Sequence, residues 1–288
     1  VNMDKLKNER EPLLLQTWQR DAYDIYTAFN KQPIDKATLI FVIVNRTKWQ
    51  LRAIAECFEK KYGKKLLEFV IQEMQTAAGK MFSGSNSNLG MLFTYRIMDQ
   101  PERDAAFLRD ASDGMSLKSR EFIELVCTRS NAELHAAMEK YQSMFGRSLP
   151  EMIKQKASYE NFRNFMLKVI ECNRDEDNRP LDGDTAAKYA KELQDAGRNA
   201  EPFIRILAPI NHIQFESINS KYKDNKLLQD ICVKFSGDFR DALTTRVQSK
   251  YDYLASRLEV ALGGMTGPDG EQICRIIGSL SRIECVKL

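Results

Sequence analysis

Along most of the chain apolar residues return every three or four positions, the spacing that lays them on one face of a helix, and glycine, proline or asparagine interrupts the pattern at short intervals. This predicts a succession of short amphipathic helices and almost no strand. "LIFVIV" (Leu39–Val44) is rich in β-formers, yet it falls in register with "FIELVC" (Phe122–Cys127) and is read as a buried helix. Gly63 and Gly146 stand where a helix C-cap takes a left-handed residue. "FSG" (Phe82–Gly84) and "FSGDF" (Phe235–Phe239) mark turns that open a further helix.

The pattern also repeats. Moved by 83 positions, "RTKWQLRAIAECFEKKYGKKLLEF" (Arg46–Phe69) lies over "RSNAELHAAMEKYQSMFGRSLPEM" (Arg129–Met152). Arg46, Leu51, Ala53, Glu56, Gly63, Leu66 and Glu68 each meet an identical residue, and Ala28 meets Ala111 without a gap. A weaker third copy starts at Phe203, and a fourth opens with "YLASRLEVAL" and "EQICRIIGSL" before the sequence stops. Register held over such a length indicates a repeat architecture of about five helices per unit.

Composition narrows the function classes. The 288 residues carry 43 basic and 40 acidic side chains, a formal charge of +3, so no overall field recommends nucleic acid as a partner. The six cysteines form no CxxC pair and suit reduced thiols in a cytoplasmic protein. No apolar run approaches the roughly 20 residues that span a bilayer, and "VNMDKLKNEREPLLL" is too charged for a signal peptide. Membrane contact is therefore expected to be peripheral. No Ser-His-Asp, Cys-His or paired-carboxylate arrangement recommends catalysis, so no catalytic residue is assigned and the protein is not read as an enzyme.

Each unit has a short apolar helix, an Arg-Ser/Thr-x-x-x-Leu boundary, an amphipathic helix ending Tyr/Phe-Gly, then Leu-x-x-x-Ile and Ser-Gly-Asp-Phe. This resembles the annexin repeat. "CTRSNAELHAAMEKYQSMFGRSLPEMI" carries the likeness best, and "CNRDEDNRPLD" (Cys172–Asp182) is similar to the connector annexins place between repeats two and three. The resemblance implies an all-α, slightly curved disc of four repeats. The expected boundaries are a head at 1–16, repeat one at 17–100, repeat two at 101–173, a connector at 174–182, repeat three at 183–248 and repeat four at 249–288. The last is expected to lack its tail. The divergence of the loops resembles that of the protozoan α-giardins.

The resemblance further implies calcium, held by carbonyl oxygens of a glycine-rich loop between the first two helices of a repeat and by a carboxylate some forty residues on. Calcium is a hard cation that takes six to eight oxygens, and glycines let the backbone turn its carbonyls inward. "ALGGMTGPDGE" (Ala261–Glu271) is the fullest of the four loops, with Leu262, Gly264 and either Thr266 or Gly267 as ligands. Taken by itself, that stretch also fits a tight turn or a phosphate cradle, though no strand precedes it and no Lys-Ser/Thr follows. In repeat two "ASDGMSLKS" offers Ser112 and Gly114, but Lys156 stands at the acidic position. In repeat one "AFNKQPIDK" has Lys31 and Pro33 in place of glycines, with Glu73 as its carboxylate. Repeat three, with "AGRNAEP" and Lys234, is expected to be empty.

The function implied is calcium-dependent binding to anionic phospholipid at the cytoplasmic face of a membrane, linking it to the cytoskeleton. The alternative is a microtubule scaffold with vestigial lipid binding, in which tubulin meets the lysines of "EKKYGKK" (Glu59–Lys65). Lys31, Lys36, Lys118 and Arg120 are placed to contact an anionic surface without calcium. His135 and His212 lack partners at metal spacing and are read as packing or surface residues, as are Trp18 and Trp49.

Overall fold

The helices start where side chains satisfy the first free backbone N–H groups. Thr47 with Gln50, Ser130 with Glu133, Ser148 with Glu151, Asn211 with Gln214 and Ser281 with Glu284 each form a reciprocal capping box. Gly63 and Gly146 each end a 15-residue helix at φ 66°, the left-handed cap expected of them. The computed structural model describes residues 3–80, 84–264 and 267–288, and all its regular elements are helices.

The first five are α1 (Met3–Asn30), α2 (Lys36–Asn45), α3 (Lys48–Tyr62), α4 (Leu66–Lys80) and α5 (Gly84–Ile97). The next five are α6 (Gln100–Ser112), α7 (Ser119–Thr128), α8 (Asn131–Phe145), α9 (Leu149–Lys156) and α10 (Glu160–Val169). A connector leads to α11 (Gly183–Asp195), α12 (Ala200–Leu207), α13 (His212–Asn219), α14 (Leu227–Lys234) and α15 (Gly237–Val247). The chain closes with α16 (Lys250–Leu262), α17 (Gly270–Ser279) and α18 (Arg282–Cys285). One element departs from the expected short helices: α1 runs for 28 residues, straight through the segment expected as a separate head. Of the turn expected at Phe82–Gly84, Phe82 and Ser83 lie outside the described residues, while Gly84 begins α5.

The helices gather into two modules, Val1–Asp99 with Leu254–Leu288, and Gln100–Tyr253. The core of the first is built on Ile25, Leu39, Ile43, Leu51, Ile54, Phe58 and Phe93. "LIFVIV" is helical as expected, with Leu39, Val42 and Ile43 buried, but Ile40 and Phe41 point outward, 43% and 63% exposed. A helix shows about half its circumference to the core, so an all-apolar run cannot be buried throughout when one face meets solvent. The second module packs Leu108, Phe122, Leu134, Phe165, Phe203 and Ile218.

Each module holds a buried arginine where two helices end. In the first, Arg96 Nη1 donates to Leu280 O at 2.8 Å and Nη2 to Arg46 O at 2.9 Å, tying the C-terminal ends of α17 and α2. In the second, Arg246 Nε donates to Ala208 O at 2.9 Å and Nη1 to Cys127 O at 3.5 Å, doing the same for α12 and α7. The guanidinium meets the negative ends of the helix dipoles and the carbonyls that no intrahelical N–H satisfies. Burial pulls the Arg246 side chain down to about 10, with the nearby Arg174 charge acting in the same direction.

A second repeated device is a bidentate ion pair. Arg46 meets Asp21 at 2.6 and 3.0 Å, and Arg129 meets Asp104 at 2.6 and 2.9 Å. The members of these pairs are related by the same 83-residue shift as the helices. Asp104 is fully buried and also accepts from Gln100 Nε2 at 2.6 Å.

Candidate calcium and lipid loops

Three of the inter-helix loops close in the same way. Asp35 N donates to Ala28 O at 3.0 Å, Lys118 N to Ala111 O at 2.8 Å, and Asp269 N to Ala261 O at 2.8 Å. Each bond draws the residue just before the second helix back onto the last turn of the first. The loop between α11 and α12 is shorter and turns through Gly197 at φ 58°.

In the Gly264 loop, Gly267 N donates to Gly264 O at 3.0 Å, folding the strand of glycines into a tight turn. A Cβ on Gly264 would lie 2.7 Å from Gly267 O, a distance real Cβ atoms do not reach. Gly267 itself has φ 101°, so both positions require glycine, one for space and one for conformation. Leu262 is exposed, and Thr266 lies outside the described residues. Asp269, also exposed, caps α17 by accepting from Gln272 N at 3.0 Å. The described glycines of this turn put no side chain beside their own carbonyls, which fits a hard cation.

The Gly114 loop lies between α6 and α7, and a cationic side chain already engages it. Lys156 Nζ, at the end of α9, donates to Gly114 O at 2.6 Å. Both acids near the turn are paired as well, Asp113 with Arg109 at 2.8 Å and Asp110 with Lys118 at 3.0 Å. Ser112 turns inward, its Oγ donating to Arg109 O at 3.1 Å beside the Tyr141 hydroxyl. A divalent ion at this carbonyl would face an ammonium rather than a carboxylate, and the two repel. The donors at Ser112 and Gly114 do not fit calcium in this arrangement.

Repeat three has the same substitution in a deeper setting. Lys234 Nζ lies 2.7 Å from Asp230 Oδ2, 3.2 Å from the Tyr222 hydroxyl and 3.3 Å from Leu193 O, at the end of α11. It also sits 5.3 Å above the Phe203 ring. Burial and the hydrogen bond to Asp230 push the Tyr222 hydroxyl well above its ordinary range.

In repeat one, Lys31 Nζ meets Asp35 Oδ2 at 2.6 Å. The bonds from Lys31 and Thr38 hold the Asp35 carboxyl down at about 2. Lys36 is exposed at the start of α2, and Glu73 is half-buried on α4. Arg120 is exposed in the first turn of α7. Lys31 and Lys118, both expected at an anionic surface, are thus already ion-paired with neighbouring acids.

Among the described residues no three His, Cys, Asp or Glu side chains gather as a metal cluster. No described helix is long and apolar enough to cross a membrane. His135 pairs with Glu139 at 3.6 Å on an exposed helix face, and Trp49 packs edge-on against Trp18 at 5.6 Å. The lysines of "EKKYGKK" are partly drawn onto aromatic rings: Lys61 lies 4.7 Å above Tyr23 and Lys64 5.6 Å above Phe69. Sequence reasoning placed Lys156 and Lys234 correctly along the chain, but not the carbonyls they reach. It missed Asp21, Asp104, Arg96 and Arg246, of which Asp21 and Asp104 could have been found from their shared 83-residue offset.

Comparison with known proteins identifies the family of this helical fold. The annexin family model matches residues 20–82, 103–169 and 184–245, more than half of the chain. Mouse annexin A13 is 31% identical over 277 residues, covering 92% of this chain and 83% of that protein. The solved structure of annexin III superposes with a TM-score of 0.79 at 25% identity, over 92% of this chain and 81% of that one. Calcium-bound alpha-1 giardin superposes at 0.72 with 17% identity, over 91% and 86%, a likeness of fold. Annexins are in general non-enzymatic proteins that bind phospholipid with calcium. With its helical architecture, its three segments matched by the family model and its 31% identity to an annexin over most of both chains, the chain belongs to the annexin family.

Proposed function

We propose that this chain binds anionic phospholipid peripherally through calcium held at the Gly264 loop, as a binding protein rather than a catalyst. The observation that carries this reading is the turn at Gly264–Gly267, where a Cβ on Gly264 would strike Gly267 O, so that the backbone path of the loop depends on glycine. Leu262, Gly264 and either Gly267 or Thr266, the latter outside the described residues, would hold the ion, with Glu73 as the acidic ligand of a lesser site in repeat one. Bound calcium supplies the positive charge that a lipid phosphate completes, so ion and membrane bind cooperatively. Lys36 and Arg120, exposed beside their loops, add attraction of about 1 kcal/mol per basic group near an anionic surface. The test is sedimentation with phosphatidylserine vesicles: binding at millimolar calcium is expected, and its absence there rejects the reading.

A second reading is favoured by Lys156 and Lys234, which stand at the acidic positions of repeats two and three. In it the helical core is a cytoplasmic scaffold that docks on acidic tubulin tails through Lys60, Lys61, Lys64 and Lys65. Microtubule cosedimentation that resists chelator and falls on reversing those four charges would support it over the first.

A further inference from the structure

The Lys156–Gly114 contact has a property that a simple loss of function would not produce. A degenerate calcium loop is expected to relax, with its carbonyls turned to water. Here instead the last residue of α9 reaches into the turn and donates to the carbonyl of its glycine at 2.6 Å. The base of the turn is closed by the same Lys118-to-Ala111 bond that closes the other loops, and its two acids are neutralised by Arg109 and Lys118. Among the described residues no carboxylate pairs with Lys156, so its charge remains available at the loop. Repeat three also carries a lysine at the matching helix end, but Lys234 pairs with Asp230 at 2.7 Å and reaches Leu193 O within α11, so a free cation on a loop carbonyl is a feature of the Gly114 loop.

Among its exposed residues this pinned turn presents one large apolar side chain. Met115, next to Gly114, is 105% exposed, and Tyr159, three residues beyond Lys156, is 74% exposed. Both stand on the two segments that the Lys156–Gly114 bond draws together. An exposed methionine and tyrosine on the segments that also carry the cations Lys156 and Arg120 match a surface that is anionic outside and apolar beneath. A bilayer with anionic headgroups has that layering.

We propose that the Gly114 loop is a calcium-free lipid-docking element, in which the Lys156 ammonium replaces a divalent cation on the loop carbonyl and Met115 enters the headgroup layer. This rests on the reading that the loops face a lipid surface. It goes beyond that reading by dividing the labour: calcium acts at the Gly264 loop, and a tethered ammonium acts at the Gly114 loop. The lysine is covalently part of the chain, so the second contact does not respond to calcium.

The experiment uses the full chain and phosphatidylserine-containing vesicles in chelator, at low salt, with neutral phosphatidylcholine vesicles as the comparison. Wild type is expected to bind the anionic vesicles alone, and Met115→Ser to bind them about tenfold more weakly, since an exposed side chain that enters lipid contributes its transfer energy. Lys156→Met, which keeps the stem but not the charge, is expected to weaken chelator binding by a similar factor while circular dichroism stays unchanged. Lys156→Glu is expected to abolish chelator binding and to gain one calcium ion by calorimetry. No chelator binding by wild type, less than a twofold effect of Met115→Ser, or undiminished binding of Lys156→Met each overturns the proposal. A parallel arm at millimolar calcium with Gly264→Ala isolates the reading it rests on. If calcium adds nothing to wild type, that reading fails while the chelator result still judges this one.

Discussion

Removing the carboxylate of Asp104 should be among the most damaging single changes in the second module. Its side chain is fully buried, and it holds Arg129, itself 7% exposed, through two short bonds. Asp104→Ala leaves a guanidinium in the core with no counter-charge, a change that costs about 3–5 kcal/mol in buried pairs. The matching pair in the first module supplies an internal scale. There Arg46 keeps 22% side-chain exposure, so Asp21→Ala lets water solvate the orphan and should cost about 1–3 kcal/mol. Urea unfolding followed by far-UV circular dichroism reads both. The double variant Asp104→Ala with Arg129→Met should recover part of the loss, because the orphaned charge is gone with its partner. If Asp104→Ala costs no more than Asp21→Ala, or the double variant recovers nothing, burial is not what sets the magnitude. The pH dependence gives a second check. Burial pushes the Asp104 carboxyl up, but the Arg129 charge and its hydrogen bonds outweigh this and hold it below the ordinary value. Its contribution is therefore complete above about pH 4 and is lost as pH falls through the lowered value, so acid should cost wild type more than Asp104→Asn.

Other expectations follow from single positions. Gly264→Ala should remove calcium binding by forcing Gly267 O out of its turn, with the helical circular dichroism of wild type retained. Gly146→Ala should cost about 1 kcal/mol by denaturant unfolding, and Gly63→Ala the same, since each is left-handed and open space surrounds the added Cβ. Of the free thiols, exposed Cys232 should react first with a disulfide reagent. Cys127, which burial pushes up to about 11, should react only on unfolding; early labelling of Cys127 would refute its placement.

Much of the fold was legible because it is written in local terms. Helix periodicity and the left-handed caps at Gly63 and Gly146 depend on residues close together in sequence, and the 83-residue register is visible because whole local patterns recur in the same order. The loops were less legible. Lys156 and Gly114 lie 42 residues apart, and nothing between them announces that an ammonium will find that carbonyl. The outward turn of Phe41 was hidden for a related reason: its run is uniformly apolar, so the sequence holds no contrast from which to tell the wet face from the dry one. Arg96 and Arg246 were missed because a lone arginine near a helix end reads as a surface charge until the elements around it are assembled.

The bond from Arg96 to Leu280 also fixes an order of events during synthesis. The two residues are 184 positions apart, and α5 packs so closely on α17 that a Cβ on Gly278 would lie 2.8 Å from that of Tyr95. At ordinary ribosomal speeds, α5 waits roughly 10 to 40 s for α17 to be made, with its apolar face uncovered. The second module, contiguous from Gln100 to Tyr253, has all its parts in hand sooner. The earlier-made α5 thus completes its packing after the second module, and for that interval its uncovered face is open to a chaperone or to the α17 of another nascent chain.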